Sequence, residues 1–579
     1  MDAVVEDGTL ATDAEGGTTP ILAIRDLNVG FDLRLGRVEI LDNVSFDLHR
    51  GKTVCVVGES GSGKSVTARA VLNMVTRPGS ISSGSIMFTP DVGMVGFDLA
   101  KMNPRGRAIR DVRGGKIAMI FQEPMSSLSP VHTIGAQIIE AVMLHQRISK
   151  AEARELARKA LEQVEIPEPE QALDKYAFEY SGGMRQRAMI AMALSCEPDI
   201  LIADEPTTAL DVTTQAEILD LIRKLQDEND MAVMFITHDM GVVAEIADEV
   251  VVMQKGRVVE RGDVFQIFER PQDPYTQQLL GAVKQLNGRA ARKRDVPADA
   301  PAILKVRDLT QHFEKRSGFL QRVTSSTRAV DGVTFDIRKG ESFGIVGESG
   351  SGKTTVGRCL CRIYDPTSGQ MEFDGFDLSA ATGKQLTPIR RDIRMIFQDP
   401  FASLNPRMTV KQIIAEPLLV NGIASGAELD TRVSELLVKV GLEPKMAERY
   451  PHAFSGGQRQ RIVVARAIAL DPRLIIADEP TSALDVSIRT KVLDLLLDLQ
   501  DDLDLSFVFI SHDMAVIRYF CDRVAVMYRG KIVEVGETEQ IITDPQHPYT
   551  KALLSSVPIP EPSLRGTRTR HRYVEAAGN

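Results

Sequence analysis

Two short segments place glycines, a lysine and a hydroxyl at a spacing that suits polyphosphate. GESGSGKS at 58–65 and GESGSGKT at 347–354 both read G-x-x-x-x-G-K-[ST]. Each follows an apolar run (TVCVV at 53–57, FGIV at 343–346) and precedes helix-forming sequence, the strand–loop–helix setting such a loop needs. Glycines let backbone N–H groups converge on phosphate oxygens, and the helix start adds partial positive charge. Lys64 and Lys353 are placed to reach β- and γ-phosphates, and Ser65 and Thr354 to offer a hydroxyl to Mg2+.

Two further groups add hydrolytic chemistry. Apolar runs ending in Asp204-Glu205 and Asp478-Glu479 read as buried strands, and ligands of a parallel α/β sheet sit at the carboxyl ends of its strands. That position suits Asp204 and Asp478 to hold Mg2+ through water, and Glu205 and Glu479 to orient and polarise an attacking water. His238 and His512 each follow a β-rich run and lie 33 residues beyond the glutamate. An imidazole there can contact a γ-phosphate and sense its loss. A lone histidine is more often structural, but two at one register favour a function.

The elements that must position these residues occur twice. MIFQEPMSSLSP at 119–130 recurs as MIFQDPFASLNP at 395–406, and SGGMRQR at 181–187 as SGGQRQR at 455–461. Lys64 and Lys353 are 289 apart, Gln122 and Gln398 are 276 apart, and Ser181 and Ser455, Glu205 and Glu479, and His238 and His512 are each 274 apart. The first half therefore carries about a dozen extra residues between its first two motifs, expected within 86–116 as a hairpin and loop. A repeat this long is a duplicated domain rather than a solenoid unit. The expected domains are 21–284 and 303–560, joined by a polar linker at 285–302, with a disordered tail at 1–20 and a basic tail at 561–579.

Composition narrows the class. The 579 residues carry a net charge of −10, so no global basic excess points to nucleic acid as a partner. The five cysteines are scattered without disulfide or zinc spacing, which suits buried thiols in a reducing compartment. No apolar stretch reaches the roughly 18 residues of a membrane helix, and residues 1–20 lack the basic and apolar regions of a signal peptide. If the protein works at a membrane, other chains do the spanning.

The Ser-Gly-Gly-[Met/Gln]-Arg-Gln-Arg segments, with Gln122, Gln398 and the Ala-Leu-Asp segments at 209–211 and 483–485, resemble the ABC ATPase family, in family order and in both halves over almost all of 21–560. The resemblance implies an α/β fold with two tandem P-loop NTPase (ABC ATPase) domains. Each would hold a RecA-like core, an antiparallel β subdomain and an α-helical signature subdomain. A Ser-Gly-Gly helix start offers a hydroxyl and bare N–H groups to an anion; in the family this group completes the ATP site of the opposite domain.

One ATP is then expected on Gly58, Ser60, Gly61, Gly63, Lys64, Ser65 and Val66 with Ser455, Gly456, Gly457 and Gln458. The other is expected on Gly347, Ser349, Gly350, Gly352, Lys353, Thr354 and Thr355 with Ser181, Gly182 and Gly183. Phe31 and Phe313 match the adenine-stacking aromatic, with a simple core phenylalanine as the competing reading. Gln122, Glu205 and His238, and Gln398, Glu479 and His512, match the catalytic groups. Ser65, Gln122 and Asp204, and Thr354, Gln398 and Asp478, match the Mg2+ groups. Asp211 and Asp485 match the segment that crosses the domain interface. Met184 departs from the family's glutamine.

DPQHPYTKALLSSVP at 544–558 resembles the C-terminal element of dipeptide, oligopeptide and nickel importer ATPases, and RPQDPYTQQLLGAV at 270–283 is a weaker copy with Asp273 in place of His547. The resemblance implies an ATPase that powers import of short peptides or related small solutes, one chain supplying both nucleotide-binding domains. Its partners would be two integral-membrane permease subunits, contacted through the Gln122 and Gln398 loops, and an extracytoplasmic solute-binding protein. Its place would be peripheral, on the cytoplasmic face of the inner membrane. Residues 559–579 contain no cysteine, so the iron–sulfur cluster of some relatives is not expected. Glutathione, nickel chelates and sugars remain open as cargo. A tandem ABC ATPase acting on ribosomes is the main rival. The short linker with Pro297 and Pro301 argues against the rigid helical arm such proteins carry, and the net acidity argues against a ribosome surface.

Overall fold

The computed structural model describes residues 19–573 apart from 35, 91–94, 123–126, 209, 288–295, 298, 318–321, 483 and 568. Residues 1–18 of the expected N-terminal tail, half of the expected linker and the last six residues of the basic tail lie outside the described residues.

The first half contains strands β1 (Leu22–Leu33), β2 (Gly36–Leu48), β3 (Thr53–Val57), β4 (Gly79–Phe88), β5 (Phe97–Asp98), β6 (Ile117–Ile120), β7 (Ile200–Asp204), β8 (Ala232–Ile236), β9 (Glu249–Gln254) and β10 (Arg257–Asp263). The second repeats them as β11 (Ala302–Ser317), β12 (Arg322–Arg338), β13 (Ser342–Val346), β14 (Ser368–Phe373), β15 (Phe376–Asp377), β16 (Ile393–Ile396), β17 (Leu474–Asp478), β18 (Ser506–Ile510), β19 (Arg523–Tyr528) and β20 (Lys531–Glu537). Each half has a four-stranded sheet, ordered β2-β1-β4-β5 or β12-β11-β14-β15, and a six-stranded sheet, ordered β10-β9-β3-β8-β7-β6 or β16-β17-β18-β13-β19-β20. The small sheets are antiparallel. In the large ones β3 and β13 pair parallel on both sides.

The strand sequences explain the two kinds of sheet. β3, β7, β8, β13, β17 and β18 are five-residue runs buried at every position, as parallel strands covered on both faces must be. One core per half joins the sheets. Leu22, Leu41, Val54, Phe88 and Met234 belong to the first; Leu304, Val330, Phe343, Phe373 and Val508 belong to the second. A helical layer lies between β6 and β7, with the helices Ile134–His145 and Lys150–Gln163 against Gly182–Leu194. A capping box of Ser149 and Glu152 starts the middle one. The second half repeats the layer as Val410–Val420, Gly426–Lys439 and Gly456–Ile468.

The extra residues of the first half fall partly where expected. Phe88 pairs with Phe97, while their counterparts Phe373 and Phe376 are joined by a two-residue turn, Asp374-Gly375. The β4–β5 connection is thus six residues longer than β14–β15. The helix Pro274–Leu286 runs two residues beyond the boundary expected at 284. Among the described residues no helix is long and apolar enough to cross a membrane.

The chain divides into two compact units that do not coincide with the sequence halves. One gathers residues up to Pro206 with Ile222–Ile236 and Ala247–Gly262; the other gathers Thr207–Leu221, Thr237–Ile246 and the chain from Asp263 on.

Candidate nucleotide sites

β3 and β13 each end in a loop folded tightly back against the neighbouring strand. Gly58 and Gly347 have φ of +148° and +149°, and a Cβ on either would lie 2.1 Å from the carbonyl oxygen of Met253 or Met527. Only glycine fits there. A Cβ at Gly61 or Gly350 would meet nothing within 4 Å, and Ser60 and Ser349 beside them are exposed; this is the open mouth of each cradle. Gly63 and Gly352, also left-handed, hand the loops to the helices Lys64–Val71 and Lys353–Leu360. Val66 and Thr355 lie half-buried in the first turns of these helices.

The two lysines are buried within their own loops. Lys64 Nζ donates to the carbonyls of Gly58 at 2.7 Å and Glu59 at 2.9 Å. Lys353 Nζ donates to those of Gly347 and Glu348, both at 2.7 Å. Burial lowers the Lys353 pKa, against the pull of Glu479 and other nearby carboxylates. Ser62 Oγ and Ser351 Oγ are buried without a protein partner, polar atoms left for something the loop binds.

Beside each lysine a hydroxyl meets a carboxylate. Ser65 Oγ donates to Asp204 Oδ1 and Thr354 Oγ1 to Asp478 Oδ1, both at 2.9 Å. Burial raises the pKa of both aspartates. Among the described residues no cluster of three His, Cys, Asp or Glu side chains is present. The hydroxyl–carboxylate pairs are oxygen donors of the kind Mg2+ takes, with one or two carboxylates and a shell completed by water and substrate phosphate.

The catalytic candidates converge on the next residue. Glu205 and Glu479 adopt φ of +48° and +47°, a left-handed conformation costing a non-glycine residue about 1–2 kcal/mol. Their N–H groups still donate to Ile236 and Ile510 across the sheet, at 3.0 and 2.9 Å. Gln122 Nε2 donates to Glu205 Oε2 and Gln398 Nε2 to Glu479 Oε2, both at 2.8 Å. In the second half His512 Nδ1 lies 3.0 Å from Glu479 Oε1. Burial pushes the Glu479 carboxyl up, but His512 outweighs it and holds the pKa below the usual range. Burial pushes His512 down, and Glu479 outweighs that and raises it. Within the second unit, His238 and His512 line one cavity of about 170 Å3, together with Asp239, Asp513 and Arg489.

The signature residues start helices. Ser181 caps Gly182–Leu194, its Oγ accepting from Met184 N at 3.2 Å. Ser455 caps Gly456–Ile468, and there the Gln458 side chain also accepts from Ser455 N at 3.1 Å. Methionine has no oxygen for that return bond, so the first signature lacks the capping box of the second. The aromatic candidates differ as well. Phe31 is half-buried and packs against the first core, whereas Phe313 is 40% exposed with Tyr364 edge-on at 5.4 Å.

Three residues outside the sequence-derived set join the second site. Thr213 Oγ1 lies 2.9 Å from Glu348 Oε1 and 2.7 Å from Asp211 Oδ1, its single proton shared between the two carboxyl groups. Glu348 N donates to the hydroxyl of Tyr549 at 3.1 Å. The Pro-Tyr motifs are helix starts. Pro274 and Pro548 take the first helical position, and Asp273 Oδ1 or His547 Nδ1 caps the N–H of Tyr275 or Tyr549, at 2.8 and 3.1 Å. The Asp/His exchange between the halves therefore preserves one structural role.

Comparison with known proteins agrees with this geometry. A family profile described as ABC transporter matches residues 41–208 and 330–482. A second, described as the oligopeptide/dipeptide transporter C-terminal region, matches 259–316 and 533–577. The chain is 50% identical over 566 residues to the glutathione import ATP-binding protein GsiA of Escherichia coli K12, covering 94% of this chain and 90% of that protein. The proteins of the same name from Pectobacterium atrosepticum and Shigella flexneri are also 50% identical, with the same coverage. With both cassettes and both copies of the C-terminal region present, the chain belongs to the ABC transporter family, as a tandem ATP-binding protein of its peptide and glutathione importer group.

Proposed function

We propose that this chain hydrolyses ATP at two sites to drive import of short peptides of the glutathione class through a pair of membrane permeases. The observation that carries the hydrolytic half is the twin constellation of hydroxyl–aspartate and glutamine–glutamate pairs, 2.9 and 2.8 Å apart in both halves. The cargo assignment is supported by the duplicated C-terminal region and by 50% identity to glutathione import proteins.

In this reading Lys64 and Lys353 leave the loop carbonyls to meet the β- and γ-phosphates. Phe313 stacks on one adenine and Phe31 on the other. The N–H groups and hydroxyls of Ser455, Gly456 and Gly457 complete the first ATP site, with Gln458 holding the cap. Ser181, Gly182 and Gly183 complete the second. Ser65, Asp204 and Gln122, and Thr354, Asp478 and Gln398, hold Mg2+, which supplies charge neutralisation at the phosphates. Glu205 and Glu479 orient a water and accept its proton as the water oxygen bonds to the γ-phosphorus and the bridging oxygen leaves with ADP. His238 and His512 donate to the γ-phosphate and report its loss. The Gln122 and Gln398 loops pass closure to the permeases, and an extracytoplasmic binding protein delivers the cargo. The chain itself is peripheral to the cytoplasmic face of the membrane.

Affinity purification of the chain from its native membranes, with partners identified by mass spectrometry, tests this. Two multi-spanning permeases and a binding protein carrying a short thiol peptide are expected. Ribosomal proteins without a permease would overturn the transport reading.

A further inference from the structure

One hydroxyl of the C-terminal element reaches into the second phosphate loop. Tyr549, the second residue of the helix Pro548–Ser555, is 1% exposed. Its hydroxyl oxygen accepts the backbone N–H of Glu348 at 3.1 Å. Glu348 is also the residue whose carbonyl receives Lys353 Nζ at 2.7 Å and whose carboxylate lies 2.9 Å from Thr213 Oγ1. It follows Gly347, the tightest turn of the loop.

The tyrosine is itself held firmly. Its ring packs on Tyr528 at 4.4 Å and Tyr573 at 5.7 Å, and His547 Nδ1 caps its N–H. Burial pushes the phenol pKa up, so the hydroxyl stays neutral. The bond therefore joins an aromatic cluster to the glycine-rich loop.

We propose that Tyr549 is a positioning residue of the second ATP site, its hydroxyl fixing Glu348 in the conformation from which Lys353 and the loop N–H groups meet the phosphates. This rests on the reading of residues 347–354 as an ATP loop. The C-terminal element then tunes the affinity of the second site through this bond.

Photolabelling of the full chain with 8-azido-ATP tests it, with labelled tryptic peptides of each half quantified across a concentration series. Tyr549→Phe removes only the hydroxyl and keeps the ring. The half-saturating concentration at the second site is expected to rise about five-fold, the scale of one lost hydrogen bond, with the first site unchanged in the same molecules. An unchanged second site would overturn the inference. So would equal weakening of both sites with a lowered melting temperature, which marks a merely structural role. A native chain taking no label in the second half would overturn the ATP reading of that loop, and this inference with it.

Discussion

Replacing Glu205 and Glu479 together by glutamine removes the proposed base while leaving the shape of each site. In the second site both carboxylate oxygens are engaged, Oε2 by Gln398 at 2.8 Å and Oε1 by His512 at 3.0 Å. A glutamine can turn its oxygen to Gln398 and its amide nitrogen to His512 Nδ1, which accepts when the ring proton sits on Nε2. Loop, lysine and aspartate are untouched, so the binding penalty is at most about 1 kcal/mol, one hydrogen bond's net value. The lost base costs far more: general-base catalysis contributes about 10²–10⁴-fold, or about 3–5 kcal/mol of barrier. Equilibrium ATP binding and single-turnover hydrolysis are measured side by side on the double variant. Binding is expected within about five-fold of native, and hydrolysis down at least about a hundred-fold. Hydrolysis within ten-fold of native, or a loss of binding as large as the loss of turnover, would refute the assignment of the base.

Other substitutions follow from the same geometry. Gly347→Ala sets a Cβ 2.1 Å from Met527 O in a left-handed conformation, so ATP labelling of the second half should be lost while the first is retained. Met184→Gln supplies the oxygen that Gln458 provides in the other half; hydrogen exchange at Ser181 N–H should slow about two- to five-fold, the worth of about 0.5–1 kcal/mol. Arg523→Ala strands the Glu341 carboxylate, fully buried and 3.2 Å from the guanidinium, so thermal unfolding should show a loss of about 3–5 kcal/mol. Adding Glu341→Gln should recover much of that loss, and no recovery would contradict an electrostatic origin.

The sites were largely legible because their chemistry is local. The spacing of Gly58, Gly63, Lys64 and Ser65 sets a backbone shape by itself, and the structure gives that shape, down to left-handed glycines at Gly58 and Gly63. Repetition supplied the rest: His238 and His512 gained weight from their shared register, and both line one cavity. Contacts between distant segments left no such trace. Nothing in the spacing of Tyr549 from Glu348, some two hundred residues earlier, announces the bond between them. Thr213 sits in the first turn of the helix Val212–Asn229, and its sequence position gives no sign that its hydroxyl reaches Glu348. Phe31 and Phe313 hold equivalent positions in the repeat, but Phe31 is half-buried against the first core while Phe313 is exposed. Tyr364 stands edge-on beside Phe313, at the repeat position that Val75 holds in the first half.

The central claim is that ATP hydrolysis by this chain is coupled to uptake of a short peptide. The direct measurement is ATP hydrolysis by the chain assembled with its permeases in sealed vesicles, with the binding protein added empty or loaded with glutathione. The loaded binding protein is expected to stimulate hydrolysis, labelled peptide to cross the membrane only when ATP is present, and Glu205→Gln with Glu479→Gln to abolish both. Hydrolysis indifferent to permease and binding protein, with no ATP-dependent uptake, would contradict that coupling.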